Sequence, residues 1–324
     1  MTAAETAGVS QEASDLLRGI ALIDGHHHYW QIGRFPYRWL DPSAPAARFG
    51  DKAGIAGDYL PPQYLADFAG LPLQGSVHVQ ANCGADPVAE TRWLQDLSDR
   101  TGWPTAIVGQ VDLAAPDARQ SIDRHRAFAA LRGLRTPVAW DAAGRWRVAD
   151  RPKVLSDAGF RAAAAHMADH DLCLEMVVVP EQLGELADFA AAHPRLRIAV
   201  NHFATLEPSQ PGNTDAWEAG IAGLTNCPNV SIKLSGLWTV DKTWDPQVLQ
   251  PFVDHLLACL GSQRVLYGSN MPVEGVNCPV PRQFASLARV LGGRSRAELE
   301  DIFGQTARRL YRLAPFVTGQ TRAP

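Results

Sequence analysis

Short apolar or β-branched runs alternate with longer stretches of helical periodicity from residue 20 to residue 312. This alternation is typical of repeated βα units around a parallel sheet. Eight candidate strands can be counted, at residues 20–24, 75–81, 105–112, 131–135, 172–179, 197–202, 229–234 and 264–268. Eight parallel strands close a (β/α)8 barrel, so the sequence predicts an α/β fold of the TIM-barrel type.

The domain organisation follows from what interrupts this alternation. No internal repeat and no long Pro/Gly/Ser linker divides the chain, so we expect one domain over residues 19–324, preceded by an arm at residues 1–18. Residues 31–62 form a long irregular insertion after the first strand, rich in aromatic residues and proline. Long structureless loops in compact domains are usually functional, which favours a lid; the alternative is a plug at the bottom of the barrel.

Composition and charge restrict the class of partner. The chain is 46% hydrophobic and 20% charged, as in ordinary globular proteins, and its net charge of -4 offers no concentrated basic face for nucleic acid or an anionic membrane. No apolar run approaches the roughly 20 residues that cross a bilayer. Five scattered cysteines without a Cys-x-x-Cys pair indicate reduced thiols, and the N-terminus lacks a secretory signal pattern, so we expect a cytoplasmic protein with a small-molecule substrate.

Three successive histidines, residues 26–28, lie at the carboxyl end of the first predicted strand. Side chains alternate between the two faces of an extended strand, so His26 and His28 project to one side and His27 to the other. Two imidazoles on one face can chelate a metal ion or transfer protons. The alternative is a solvated loop end, against which the apolar residues 21–23 argue.

Most of the other predicted strands also end in polar residues. Functional groups of a TIM barrel gather at the carboxyl ends of its strands, which therefore mark the predicted site. The polar residues at these ends are His78, Gln80, Asn82, Gln110, Asp112, Arg135, Glu175, Asn201, His202, Lys233, Ser235, Ser269 and Asn270.

Seven short motifs, in this order, resemble the amidohydrolase superfamily, in particular its amidohydrolase-2 branch of sugar-acid lactonases and 2-pyrone-4,6-dicarboxylate lactonase. The likeness spans nearly the whole chain and implies a distorted barrel that hydrolyses esters, lactones or amides by attack of water on a carbonyl carbon. The motifs are DGHHHYW at 24–30, VHVQA at 77–81, GLR at 133–135, VNH at 200–202, IKLSGL at 232–237, YGSNMPV at 267–273 and QTARRLYRL at 305–313.

Two chemistries suit the histidines that this resemblance brings together. Neutral His26, His28 and His202 can hold one divalent metal ion, zinc or manganese, which lowers the pKa of a bound water. Without a metal, the same imidazoles can donate hydrogen bonds to the carbonyl oxygen and stabilise the developing oxyanion. Lactonases of the branch that this chain resembles often work without metal, so we favour no tightly held ion.

The sequence departs from the family pattern at Asn270, where Gly-Ser-Asp is usual. An amide cannot take a proton from water, so the usual general base is absent there. Three explanations are open. Another group acts as the general base, with Glu175, Glu274 or His202 as candidates. Alternatively, Asn270 orients the substrate, or the chain binds a ligand without turnover. Glu175 is attractive because burial raises a carboxylate pKa; its alternative is an ion pair with an inward Arg or Lys.

Arg135 and Lys233 favour a substrate that bears a carboxylate, because guanidinium binds carboxylate in a bidentate fork; their alternative is a structural role. His78 is expected to assist the other site histidines, and Trp30 and Trp39 are expected to wall the pocket or to be core. We assign no chemistry to the helical histidines His125, His166, His170, His193 and His255.

The sequence thus predicts a hydrolase of a small organic-acid or sugar-acid lactone. The alternatives are a metal-dependent decarboxylase of an unsaturated or aromatic acid in the same superfamily, and a non-catalytic binder of small molecules. The resemblance also implies a homo-oligomer.

Overall fold

Eight parallel strands form the centre of the computed structural model, which describes residues 10–45 and 47–315. Each strand pairs in parallel with the next along the chain, in the order β1 to β8. The strands are β1 Leu22–His27, β2 Leu73–Val79, β3 Ala106–Gln110, β4 Leu131–Thr136, β5 Cys173–Met176, β6 Ile198–Val200, β7 Val230–Leu234 and β8 Val265–Tyr267.

Contacts between β1 and β8 bring the two edges of the sheet together into a nearly closed barrel. Gly25 permits this approach, because a Cβ atom there would lie 2.8 Å from the carbonyl oxygen of Tyr267. A parallel bridge between His27 and Met271 continues the closure beyond β8. The prediction of an α/β barrel is confirmed, and each of the eight predicted strands overlaps an observed one.

Helices follow the strands and cover the outside of the barrel. Asp86 illustrates how they begin, because its side chain accepts a hydrogen bond from the backbone N–H of Val88 at the first turn of α3. The helices are α1 Gln11–Leu16, α2 Pro61–Asp67, α3 Pro87–Thr101, α4 Ala118–His125, α5 Ala158–Asp169, α6 Leu183–Ala192, α7 Asn213–Gly223, α8 Leu237–Val240, α9 Pro246–Leu260, α10 Val280–Leu291, α11 Arg296–Glu300 and α12 Thr306–Leu310.

A small apolar cluster occupies the space between the strands and α12. It is separate from the main core and includes side chains of β1, β2, β3, β5, β6 and β8 together with Ala307, Leu310 and Tyr311. The C-terminal residues after α11 therefore pack against the barrel itself, and Tyr311 is fully buried there.

The segments outside the regular βα pattern lie at two places. Residues 1–9 of the predicted arm are outside the described residues, and α1 contacts α10. The predicted insertion at 31–62 is joined at its base by an antiparallel bridge between Trp30 and Tyr59. Trp39 donates its Nε1 hydrogen to the carbonyl of Ala81, which follows β2, so the insertion packs on the mouth of the barrel.

Among the described residues, no helix has the length and apolar character needed to cross a bilayer.

Candidate active site

Three histidines from two sides of the barrel meet at its mouth. The ring centroid of His26 lies 5.1 Å from that of His28 and 4.7 Å from that of His202. His27 points elsewhere, because its ring stacks on Tyr64 of α2 at 4.3 Å between centroids. The end of β1 therefore contributes two imidazoles to the cluster and the residue after β6 contributes the third.

Two glycines make room for these rings. A Cβ atom on Gly268 would lie 2.6 Å from Cβ of His26, and one on Gly236 would overlap the ring of His202. His202 begins a turn in which residues 202–205 all have φ between 53° and 56°, the left-handed region that most side chains avoid. The hydroxyl of Thr205 donates to the carbonyl of Val178 at 2.6 Å and helps to hold this turn.

Burial keeps the imidazoles neutral. His26 is fully buried and His28 is 6% exposed, and desolvation is the main cause that lowers the pKa of both. The charges of Lys233 and Arg135 add to the effect, and the pKa of His28 falls to about 3. Burial, followed by Arg135, likewise lowers the pKa of His202. Each ring therefore carries one N–H and one bare nitrogen at neutral pH.

The hydrogen bonds of His28 identify its bare nitrogen. Nδ1 of His28 lies 2.7 Å from the carbonyl oxygen of Val79, which can only accept, so Nδ1 carries the hydrogen. Nε2 is therefore an acceptor, and it lies 3.3 Å from Oδ1 of Asn270. Two acceptors at this distance need a proton donor that both can share.

The amide of Asn270 is oriented from behind by Thr239 and Glu274. Its Nδ2 donates to Oγ1 of Thr239 at 3.1 Å and to Oε2 of Glu274 at 3.4 Å, which leaves Oδ1 facing His28. Glu274 is buried and also accepts hydrogen bonds from the backbone N–H groups of Trp238 and Thr239. Burial raises the pKa of Glu274 to about 7, although these hydrogen bonds favour the carboxylate.

A buried charge pair determines the tautomer of His26. Nζ of Lys233 lies 2.6 Å from Oε2 of Glu175 and 3.2 Å from Nδ1 of His26, and all three side chains are fully buried. An ammonium only donates, so Nδ1 of His26 accepts and its Nε2 carries the hydrogen. That Nε2 has no hydrogen-bond partner among the described residues. The hydroxyl of Tyr311 donates to the other oxygen of Glu175.

The remaining predicted residues surround this cluster at different depths. Arg135 is half-buried and donates to the carbonyl of Gln80 at 2.8 Å. Glu175 forms an ion pair with Lys233. An ion pair with an inward Arg or Lys is the alternative that the sequence analysis gave for Glu175. His78 is fully buried, with its ring centroid 6.3 Å from that of His28 and its Nδ1 accepting from the N–H of Tyr29.

The two predicted tryptophans lie beside the cluster. The ring of Trp30 is fully buried and stacks near His28 with centroids 6.5 Å apart. Trp30 donates to the carbonyl of Gly57, and Trp39 packs edge-on against Trp30 at 5.4 Å. Both rings are tied into the insertion that covers the mouth.

Residues 23–313 match a family model described as Amidohydrolase. The chain belongs to the amidohydrolase family. It is 31% identical over 300 residues to an L-fucono-1,5-lactonase of Burkholderia ambifaria, covering 90% of this chain and 95% of that protein. These matches confirm the resemblance and show that the protein is a hydrolase.

Solved structures of other amidohydrolases share its fold. An amidohydrolase from Burkholderia multivorans with bound zinc is 27% identical, with a TM-score of 0.74 over 91% of this chain and all of that one. A probable 2-pyrone-4,6-dicarboxylic acid hydrolase from Acinetobacter baumannii, with citric acid bound, has a TM-score of 0.69 over 90% of this chain and all of that one. At 13% identity this second likeness shows the fold alone.

The zinc in the B. multivorans structure raises the question of whether the histidines of this amidohydrolase fit a metal ion. In the part of the chain that the structure describes, the one group of three or more His, Cys, Asp or Glu side chains with donor atoms within 4.8 Å of one another does not include His26, His28 or His202. Nε2 of His26 carries a hydrogen because Lys233 occupies its other nitrogen, and a metal ligand must be a bare nitrogen. With Lys233 against Nδ1, His26 does not fit as a ligand of a divalent ion.

Sequence reasoning missed Thr239, which orients Asn270, and three further contributors to the site of this amidohydrolase. Gly236 and Gly268 leave the space in which the rings of His202 and His26 pack. In the sequence, only their position next to polar strand ends indicated such a role. Tyr311 reaches Glu175 from the C-terminal segment, where its sequence reads as one more apolar helix position.

Proposed function

We propose that this amidohydrolase opens the ring of a small lactone formed from a sugar acid or another organic acid. The proposal rests on one arrangement: the Nε2–H of His26, which has no partner within residues 10–45 and 47–315, lies in the same cluster as two acceptors, Nε2 of His28 and Oδ1 of Asn270. A donor for a carbonyl oxygen and a pair of acceptors for a water are what hydrolysis of an ester requires. The relatives named L-fucono-1,5-lactonase support a lactone as the ester.

His26 is proposed to polarise the carbonyl. Its Nε2–H donates to the lactone carbonyl oxygen, and this hydrogen bond strengthens as the oxygen becomes negative during attack. Lys233 holds Nδ1 of His26 as an acceptor and thereby keeps the hydrogen on Nε2. The buried ammonium also adds positive charge near the developing oxyanion.

His28 and Asn270 are proposed to hold the attacking water. A water molecule about 2.8 Å from each acceptor can donate one hydrogen to Nε2 of His28 and the other to Oδ1 of Asn270. Its oxygen attacks the carbonyl carbon while His28 takes a proton. The ring C–O bond then breaks, His28 returns the proton to the leaving alkoxide, and the product is the open hydroxy acid.

Asn270 therefore has a role that an acidic residue would not fill in the same way. It accepts from water with Oδ1 and donates to Glu274 with Nδ2, so it needs both ends of an amide. Arg135 is proposed to bind a carboxylate of the substrate, because its half-buried guanidinium lies close enough to His28 and His202 to lower the pKa of both.

The test measures ring opening of a panel of sugar-acid and organic-acid lactones, L-fucono-1,5-lactone included. The release of protons in a weak buffer reports the reaction. We expect at least one lactone to be hydrolysed by the wild type and by His193→Gln, a half-buried histidine outside the cluster, and to be hydrolysed about 100-fold more slowly by His28→Gln, which lacks the proposed base. Carbon dioxide release from unsaturated or aromatic acids would support the decarboxylase alternative instead. Saturable binding without any product would contradict the proposal.

A further inference from the structure

Two helices on the outside of the barrel bring together a group of metal-ligating side chains that the proposed reaction does not use. Asp123 lies on α4, His166 lies on α5 and His170 follows α5 directly. One donor atom from each of the three lies within 4.8 Å of the other two. Within residues 10–45 and 47–315, this is the one such group of three His, Cys, Asp or Glu side chains.

The geometry of the group suits an ion shared by three ligands. Nε2 of His166 lies 3.0 Å from Oδ1 of Asp123, and the ring centroids of His166 and His170 are 4.5 Å apart with the planes at 86°. Donors on one tetrahedral zinc ion, with bonds of about 2.1 Å, lie about 3.4 Å apart. The three side chains are therefore within a small rotation of a common binding point.

The local sequence explains why the group forms. His166 and His170 are four residues apart and so lie on the same side of the helical turn, which is the spacing of paired histidine ligands on a helix. The contact between α4 and α5 places Asp123 against them. Two imidazoles and a carboxylate leave a fourth position of a tetrahedral ion for water.

The position of the group separates it from the candidate active site. The three side chains lie on the helical layer outside the strands, and among the described residues none of them hydrogen-bonds with or stacks on His26, His28 or His202. The side chains of His166 and Asp123 are 23% and 49% exposed, so an ion can enter from solvent.

We propose that Asp123, His166 and His170 form a surface site for a divalent transition-metal ion, for which Zn²⁺ is the probe. The ion replaces the hydrogen that His166 shares with Asp123 and joins α4 to α5. Arg126 contacts the same Oδ1 of Asp123 at 2.9 Å, so its guanidinium competes with the ion for the carboxylate.

Calorimetric titration of the EDTA-treated, dialysed full-length protein with Zn²⁺ tests the site. We expect the affinity of one zinc equivalent to fall at least tenfold in His170→Gln and in the isosteric Asp123→Asn, and to be unchanged in the control His193→Gln. Arg126→Gln should bind zinc more tightly. Lactone hydrolysis by His170→Gln should equal that of the wild type, so this result does not depend on the proposed function.

Two results would overturn the assignment. One is a zinc isotherm that His170→Gln and Asp123→Asn both leave unchanged while their circular dichroism matches the wild type. The other is loss of the zinc equivalent in His28→Gln alone, which would place the ion at the barrel histidines.

Discussion

Nζ of Lys233 lies 3.2 Å from Nδ1 of His26, at the centre of a fully buried chain of hydrogen bonds. Because the ammonium can only donate, this contact selects the tautomer of His26 in which Nε2 carries the hydrogen. Glu175 balances the buried charge of Lys233 at 2.6 Å. The charge pair below the site therefore decides which atom His26 presents to a substrate.

Removal of Lys233 should cost activity through the tautomer of His26. In Lys233→Met combined with Glu175→Gln, no unpaired charge remains buried, and we expect kcat/KM for lactone opening to fall by about 100-fold, the usual cost of losing one oxyanion donor. Nitrogen-15 NMR of labelled histidine should show that Nδ1 of His26 gains hydrogen. Wild-type kcat/KM in a folded double variant would contradict the role of the pair.

Asn270→Asp should lower activity, although it restores the residue usual in the family. The new carboxylate cannot donate to Glu274, and it would place two carboxylates about 3.4 Å apart, the present distance between Nδ2 and Oε2. We expect kcat/KM at pH 7 to fall by roughly tenfold or more, since one charged hydrogen bond is replaced by repulsion. Higher activity in this variant would show that Asn270 stands in for a lost general base.

Glu274 should give the reaction a pH dependence near neutrality. Its pKa is raised to about 7, so the carboxylate that accepts from Asn270 is present above this pH and is protonated below it. A protonated Glu274 is a weaker acceptor for the amide hydrogen of Asn270, so kcat/KM should fall as the pH drops from 8 to 6. Glu274→Gln should remove this fall in kcat/KM from a pH profile measured from pH 5 to 9. If the fall persists in the variant, another group causes it.

His125 provides a test of burial away from the site. It is fully buried between Thr91 and the carbonyl of Gln110, and desolvation lowers its pKa from 6.5 to about 4. His125 therefore binds a proton less readily in the folded state than in the unfolded chain. Its contribution to the free energy of unfolding is lost as the pH falls from 6.5 towards 4.

The measurement is urea unfolding of wild type and His125→Gln at pH 7 and pH 4.5. The free energy of unfolding of the wild type should fall between these pH values by about 2 to 3 kcal/mol more than that of the variant, at about 1.4 kcal/mol per pKa unit. Equal pH dependence in the two proteins would show that His125 is protonated at no cost.

The fold could be predicted from the sequence because parallel strands are buried on both faces and read as short apolar runs. The strand ends could not be predicted as well: β1 continues to His27, whereas the predicted strand stops at Asp24, because Gly25 and the histidines after it do not continue the apolar run. The convergence of His26, His28 and His202 could also be predicted, since strand ends of a barrel meet at one mouth.

The internal hydrogen bonding of the site could not be predicted in the same way. Lys233 reaches His26 across 207 residues, and Tyr311 reaches Glu175 across 136, so neither contact leaves a local pattern. Glu175 had two equal interpretations until the neighbour of its carboxylate was known. His166 and His170 carried a visible spacing, but their third partner lies 43 residues before His166 on another helix.

The role of His26 is tested by the rate of proton release during lactone opening by chelator-treated wild type and by His26→Gln, with His193→Gln as control. We expect the wild type and the control to turn over equally, and His26→Gln to be slower by about 100-fold or more because the carbonyl loses its donor. A His26→Gln enzyme that opens the lactone as fast as the wild type would contradict this role.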